Sequence, residues 1–169
     1  MKIASISAPG RGETDRLITE AAAQLQQAGT RLNGIVKVLQ DMPEGSHHCD
    51  MDVQVLPRGS TIRITQSLGE GSEGCRLNPE AIAQAVAAVE AAAQGPADLF
   101  ILNKFGPEEA EGRGFRTAIA TALDHGTPVL VGLGGGAASR AAFKDFTAGL
   151  AETLEPDSDA IFAWCRAAL

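Results

Sequence analysis

Short apolar runs alternate with helical stripes along this chain. Lys2 to Ser7, with Ile3, Ala4 and Ile6, predicts a first strand. A turn of Ala8-Pro9-Gly10-Arg11-Gly12-Glu13-Thr14 follows it. Leu17, Ala21, Leu25 and Ala28 then recur at helical spacing, which predicts a helix from about Asp15 to Ala28 closed by Gly29. Leu32 to Leu39 reads as a second strand, so the chain opens with a βαβ unit.

The period changes in the middle. His47 to Leu56 alternates, with Cys49, Met51, Val53 and Val55 on one face and His48, Asp50, Asp52 and Gln54 on the other. Thr61 to Leu68 alternates too, with Ile62 and Ile64 inward, and Pro57-Arg58-Gly59-Ser60 supplies the turn. These segments predict an inserted β-hairpin. Gly69, Gly71 and Gly74 make a loose loop that ends at Cys75-Arg76-Leu77-Asn78-Pro79. Asn78 is placed to cap a helix with Pro79 at its first position, and Ile82, Val86, Val89 and Ala93 form its stripe.

Leu99-Phe100-Ile101-Leu102 reads as a strand buried on both faces. After Gly114, Phe115, Ile119 and Ala122 share a helix face that stops near Gly126. Thr127 to Leu133 is another buried strand, ending in Gly134-Gly135-Gly136. Phe143, Phe146, Leu150 and Leu154 predict the next helix, and a last one from about Pro156 carries Ile161, Phe162 and Trp164. The alternation predicts a three-layer α/β protein: a mainly parallel sheet with helices on both faces and an inserted hairpin. Without an internal repeat or low-complexity linker, residues 1–169 read as a single domain.

Composition narrows the function classes. Net charge is −7, which argues against a nucleic-acid binder. Three cysteines without a CxxC pair fit a reducing cytoplasm. The first apolar run is too short for a signal peptide, and no stretch is long enough to span a membrane.

Candidate chemistry begins at Ser7-Ala8-Pro9-Gly10-Arg11-Gly12-Glu13-Thr14, between the first strand and first helix. A working nucleotide-phosphate loop there reads G-x-x-x-x-G-K-[ST]. Gly12 and Thr14 match, but Ser7 replaces the first glycine and Glu13 replaces the lysine. A glutamate there repels phosphates. Gly10, Gly12 and Thr14 remain candidates to hold an anion on backbone N–H groups, against the plainer reading of a tight turn. The strand Leu99–Leu102 ends in Asn103, where an Mg²⁺-holding aspartate is expected, and an amide is a poorer Mg²⁺ ligand. Glu108, Glu109 and Glu111 stand by as displaced carboxylates.

Lys104, Arg113 and Arg116 are three cations within thirteen positions of an acidic chain. Gly106, Gly112 and Gly114 let the backbone approach a ligand there. Arg76 with Gly74 forms a second loop of this kind. If both converge, Lys104, Gly106, Arg113, Arg116, Arg76, Gly74 and Asn103 suit a tetrahedral dianion. The competing reading is a solvated network of these arginines with Glu108, Glu109 and Glu111. His47, His48, Cys49, Asp50 and Cys75 invite a metal site, but strand alternation splits them between two faces. His48 with Asp50 stays a candidate pocket wall. His125 reads as a surface group at a helix end, and Trp164 and Cys165 as packing.

The run Asn103-Lys104-Phe105-Gly106, continued by Glu109-Ala110-Glu111-Gly112-Arg113-Gly114-Phe115-Arg116, resembles a bacterial family of unknown function grouped with P-loop nucleoside-triphosphatases. His48-Cys49-Asp50-Met51-Asp52 and Gly74-Cys75-Arg76-Leu77-Asn78 look like the same family, so the resemblance covers nearly the whole chain. It implies a P-loop-NTPase-like fold. The family's members are encoded near molybdate-transport genes, which implies a role in molybdenum uptake or handling, and it transfers no catalytic residue.

The expectation is a cytoplasmic protein that binds an oxyanion such as molybdate or tungstate and lacks ordinary NTP hydrolysis. Nucleotide and Mg²⁺ are the secondary ligands. One alternative is a nucleoside-triphosphatase with an unusual Mg²⁺ site at Glu109 or Glu111. Another is a homo-oligomeric interaction module that pairs through the hairpin edge.

Overall fold

The computed structural model describes residues 1–39, 51–66, 76–92, 95 and 97–169. Ile3–Ile6 forms β1 with all four residues buried, and Glu13–Gln27 forms α1. Leu32–Lys37 is β2, Asp52–Val55 is β3 and Thr61–Arg63 is β4. Thr65–Gln66 (β5) and Arg76–Leu77 (β6) make a separate two-stranded ribbon. Then come α2 (Pro79–Ala92), β7 (Leu99–Phe105), α3 (Pro107–Ala110), α4 (Arg116–Asp124), β8 (Val129–Leu133), α5 (Ala137–Phe146), β9 (Glu152–Leu154) and α6 (Ser158–Ala168).

The main sheet has the order β4-β3-β2-β7-β8-β1-β9. Strands β2, β7, β8, β1 and β9 run parallel, while β3 and β4 join antiparallel at one end. The hairpin therefore extends the main sheet. Its alternation holds within the described residues: Val53 and Val55 are buried, and Asp52 and Gln54 are half-buried. The Cys49, His47 and His48 positions lie outside the described residues.

The central strands are buried on both faces because helices cover both. Leu17, Ile18, Ala22 and Leu25 of α1 and Ile161 and Cys165 of α6 pack on one face. Ile82, Ala85 and Val89 of α2, Ile119 of α4 and Phe143 of α5 pack on the other. Asn78 caps α2 as expected, its Oδ1 accepting from Glu80 N–H at 3.0 Å and Ala81 N–H at 3.3 Å. Asp157 does the same for α6, accepting from Asp159 and Ala160 N–H.

One predicted element is corrected. Phe143 and Phe146 lie on α5, but Leu150 and Leu154 do not continue that helix. Ala148 and Gly149 turn left-handed at φ 50° and 71° and end it, with Gly149 N–H donating to Lys144 C=O at 2.8 Å. Leu150 is then exposed, and Leu154 joins edge strand β9 alongside β1.

Candidate functional site

Helices leave β1 and β8 toward opposite faces: α1 covers one and α5 the other. The point between β8 and β1 is where an open parallel sheet offers a crevice at its carboxyl ends. A cleft of about 510 Å³ lies at this edge. Arg11 and Gly12 after β1, Asn103 and Lys104 of β7, and the Gly134–Gly136 loop after β8 line it.

The first loop keeps the backbone of an anion site without its charge. Gly12 sits at φ 76° directly before α1, with open space where a Cβ would project. The Thr14 hydroxyl closes the loop by accepting from Ala8 N–H at 2.9 Å. Glu13 turns outward: its Oε2 accepts from Arg16 Nε at 3.0 Å, and Arg16 also bridges Glu20. The hydrogen bond from Arg16 holds the Glu13 carboxyl below its ordinary range.

Beneath the loop lies a polar network buried between α1, β2 and β7. Asp15 is only 6% exposed. Its Oδ1 accepts from Asn103 Nδ2 at 3.0 Å, and its Oδ2 faces Lys37 Nζ at 3.1 Å. Asn103 Oδ1 in turn accepts from Lys37 N–H at 3.1 Å. An amide is required at 103, because it donates to one partner and accepts from another. Here lies the missing signal for Asp15: an acid at i−3 of buried Ile18, on an apolar helix face.

Lys104 has an exposed side chain whose stem runs over Gly134; a Cβ there would lie 3.1 Å from Lys104 Cε. Neither Lys104 nor Arg11 has an ion-pair partner among the described residues. Gly106 lines the same cleft. The other predicted cations are engaged elsewhere. Arg113 Nε donates to Glu108 at 2.9 Å, and its Nη1 lies 2.7 Å from Glu111. Arg116 donates to the Glu109 C=O at 3.3 Å and stacks 4.8 Å from the Phe146 ring centre. The structure thus brings Gly12, Asn103, Lys104 and Gly106 to one cleft and turns Arg113 and Arg116 away from it. Gly10 and Thr14 shape the loop without lining the cleft. Gly74 and His48 lie outside the described residues, as does the Arg76 side chain.

Glu109 does a different task from the one its position suggested. It is 5% exposed. Its two oxygens accept from Gly106 N–H at 2.9 Å and Phe115 N–H at 3.1 Å, clamping the loop between β7 and α4. Burial raises its carboxyl above the ordinary 4.5, and the two N–H bonds pull the other way. A raised carboxyl contributes most below its unfolded value and loses that contribution as pH rises through its folded value. Glu109→Gln places an NH₂ group against an N–H donor and should cost about 1–3 kcal/mol. Urea melts from pH 4 to pH 8 should show the cost and a flatter pH slope in the variant.

Comparisons with known proteins place the chain in a family and a fold. The profile of a family described as "Protein of unknown function (DUF2478)" matches residues 3–164. The molybdenum import ATP-binding protein ModC 2 of Bradyrhizobium diazoefficiens is 35% identical over 170 residues. That match covers 98% of this chain and 18% of the longer protein. The solution structure of a human cancer-related nucleoside triphosphatase matches at a TM-score of 0.62 and 16% identity. It covers 99% of this chain and 95% of that one, so the fold is that of a P-loop nucleoside triphosphatase.

Proposed function

We propose, from the premise that the chain belongs to the DUF2478 family of unknown function, that it binds a small oxyanion and does not hydrolyse nucleoside triphosphates. One observation carries the reading: Lys104, without an ion-pair partner among the described residues, lines the cleft between the start of α1 and the Gly134–Gly136 loop. An oxyanion there meets a cation, backbone N–H groups and the positive ends of two helices.

The residues present do not fit Mg²⁺-nucleotide chemistry. Glu13 stands where a phosphate-binding lysine belongs and is paired with Arg16. Asn103 has its amide engaged on both sides. Glu111 faces Arg113 and Glu109 holds two backbone N–H groups, so neither is free to act as a metal ligand. Similarity to a molybdenum import protein of Bradyrhizobium favours molybdate or tungstate as the anion, in molybdenum uptake or handling.

Thermal melts with molybdate, tungstate, sulfate, phosphate and ATP, each with and without Mg²⁺, test this. Molybdate or tungstate at a hundred times its Kd should stabilise the fold by about 2.7 kcal/mol. Lys104→Ala should remove the shift while leaving the unliganded melting temperature unchanged. A shift seen only with Mg²⁺ and nucleotide would overturn the proposal in favour of an enzyme, and a flat panel would leave no small-ligand site here.

A further inference from the structure

A second cleft, of about 640 Å³, opens at the opposite edge of the sheet, where α2 and α4 diverge over the amino ends of β2 and β7. Asn33 and Phe100 form its floor, and Val89, Ala118 and Ala122 its sides. Glu90, His125 and Thr127 stand around them. Asn33 is 7% exposed, an expensive place for a polar group. Its Oδ1 accepts from Gly34 N–H at 2.8 Å, which fixes the amide's orientation. Its Nδ2 has no hydrogen-bond partner among the described residues. Among the described residues no fully enclosed side-chain nitrogen or oxygen is left unpaired, so this nitrogen opens on the cleft.

We propose that this cleft binds a small neutral ring amide, its carbonyl accepting from Asn33 Nδ2 and its flat body lying against Phe100, Val89 and Ala122. With Oδ1 turned to Gly34 N–H, Nδ2 is the group Asn33 leaves unpaired, and a donor there favours an acceptor. Among the described residues no Lys or Arg lines the cleft and Glu90 does, so an oxyanion is disfavoured. The volume falls within the ordinary range for small-molecule sites. The site is separate from the anion cleft and stands whatever that cleft binds.

Titrating ¹⁵N-labelled protein with uracil and with nicotinamide, followed by NMR, tests the proposal; toluene and phosphate are the controls. The Asn33 side-chain NH₂ pair should move saturably with at least one ring amide, with a Kd of about 1 mM or tighter. Asn33→Asp keeps the acceptor for Gly34 N–H but removes the donor, and should weaken binding at least about tenfold. Ala122→Phe fills the cleft from the helix side and should abolish binding even if Asn33→Asp does not fold. Lys104→Ala should leave it intact. No saturable shift with either ring amide, or equal binding of toluene or phosphate, would overturn the proposal.

Discussion

Gly34→Ala should unfold the protein. A Cβ on Gly34 would lie 1.9 Å from the carbonyl oxygen of Ile101 and 2.8 Å from its carbon. Both atoms are backbone of β7, the neighbouring strand, which has partners on both sides and cannot step back. The residue also sits at φ 110°, where a side chain adds strain of its own. The cost should exceed about 4 kcal/mol, against a typical total stability of about 5–15 kcal/mol. Gly12→Ala separates the two effects. At Gly12 the φ is 76° but nothing lies within 4 Å of the added carbon. That variant should lose only about 1–2 kcal/mol, the left-handed strain alone. Urea melts of the pair measure the difference, and equal losses would refute the clash.

Asn103→Asp should be the next most damaging change. It looks like a restoration, because a carboxylate at this strand end holds Mg²⁺ in working P-loop enzymes. In this chain it sets a second carboxylate about 3.0 Å from Asp15 Oδ1 and deletes the donor that bonds it. Lys37 Nζ neutralises one charge, and the other is left buried. The loss should be about 3 kcal/mol at pH 7. Like-charge repulsion raises the folded pKa of the new pair above the unfolded value of about 3.9. The penalty is therefore absent well below that pH and grows as pH rises through the folded value. Denaturation of variant and wild type should coincide near pH 3 and diverge by pH 7. A constant offset would mean that the repulsion is not the cause.

Much of the fold was legible because its signals are local. The fully apolar run at Leu99–Leu102, the Asn78-Pro79 cap and the alternation through Val53 and Val55 each fix an element within a few residues. Strand β9 was missed because Phe143, Phe146, Leu150 and Leu154 keep helical spacing by coincidence. Only the left-handed pair Ala148-Gly149 breaks it. The candidate site was half legible. Glycine spacing and the polar switch after Leu102 pointed to Gly12, Asn103, Lys104 and Gly106, all of which line one cleft. Charge counting also nominated Arg113 and Arg116, and could not show that Glu108, Glu111 and the Phe146 ring engage them. The Asp15–Lys37 pair joins residues twenty-two positions apart, and no local pattern announces such a contact.

The place of β1 in the sheet also shapes the order of assembly. It lies between β8 and β9, whose residues begin at 129 and 152. At a synthesis rate of roughly 5–20 residues per second, β1 waits several seconds or more for either partner. Strands β2, β3 and β4 are adjacent in both sequence and sheet and can pair early, while β1 stays unpaired. The loop that starts α1 hangs from that strand, so the cleft beside it cannot close until β8 and the Gly134–Gly136 loop have been made.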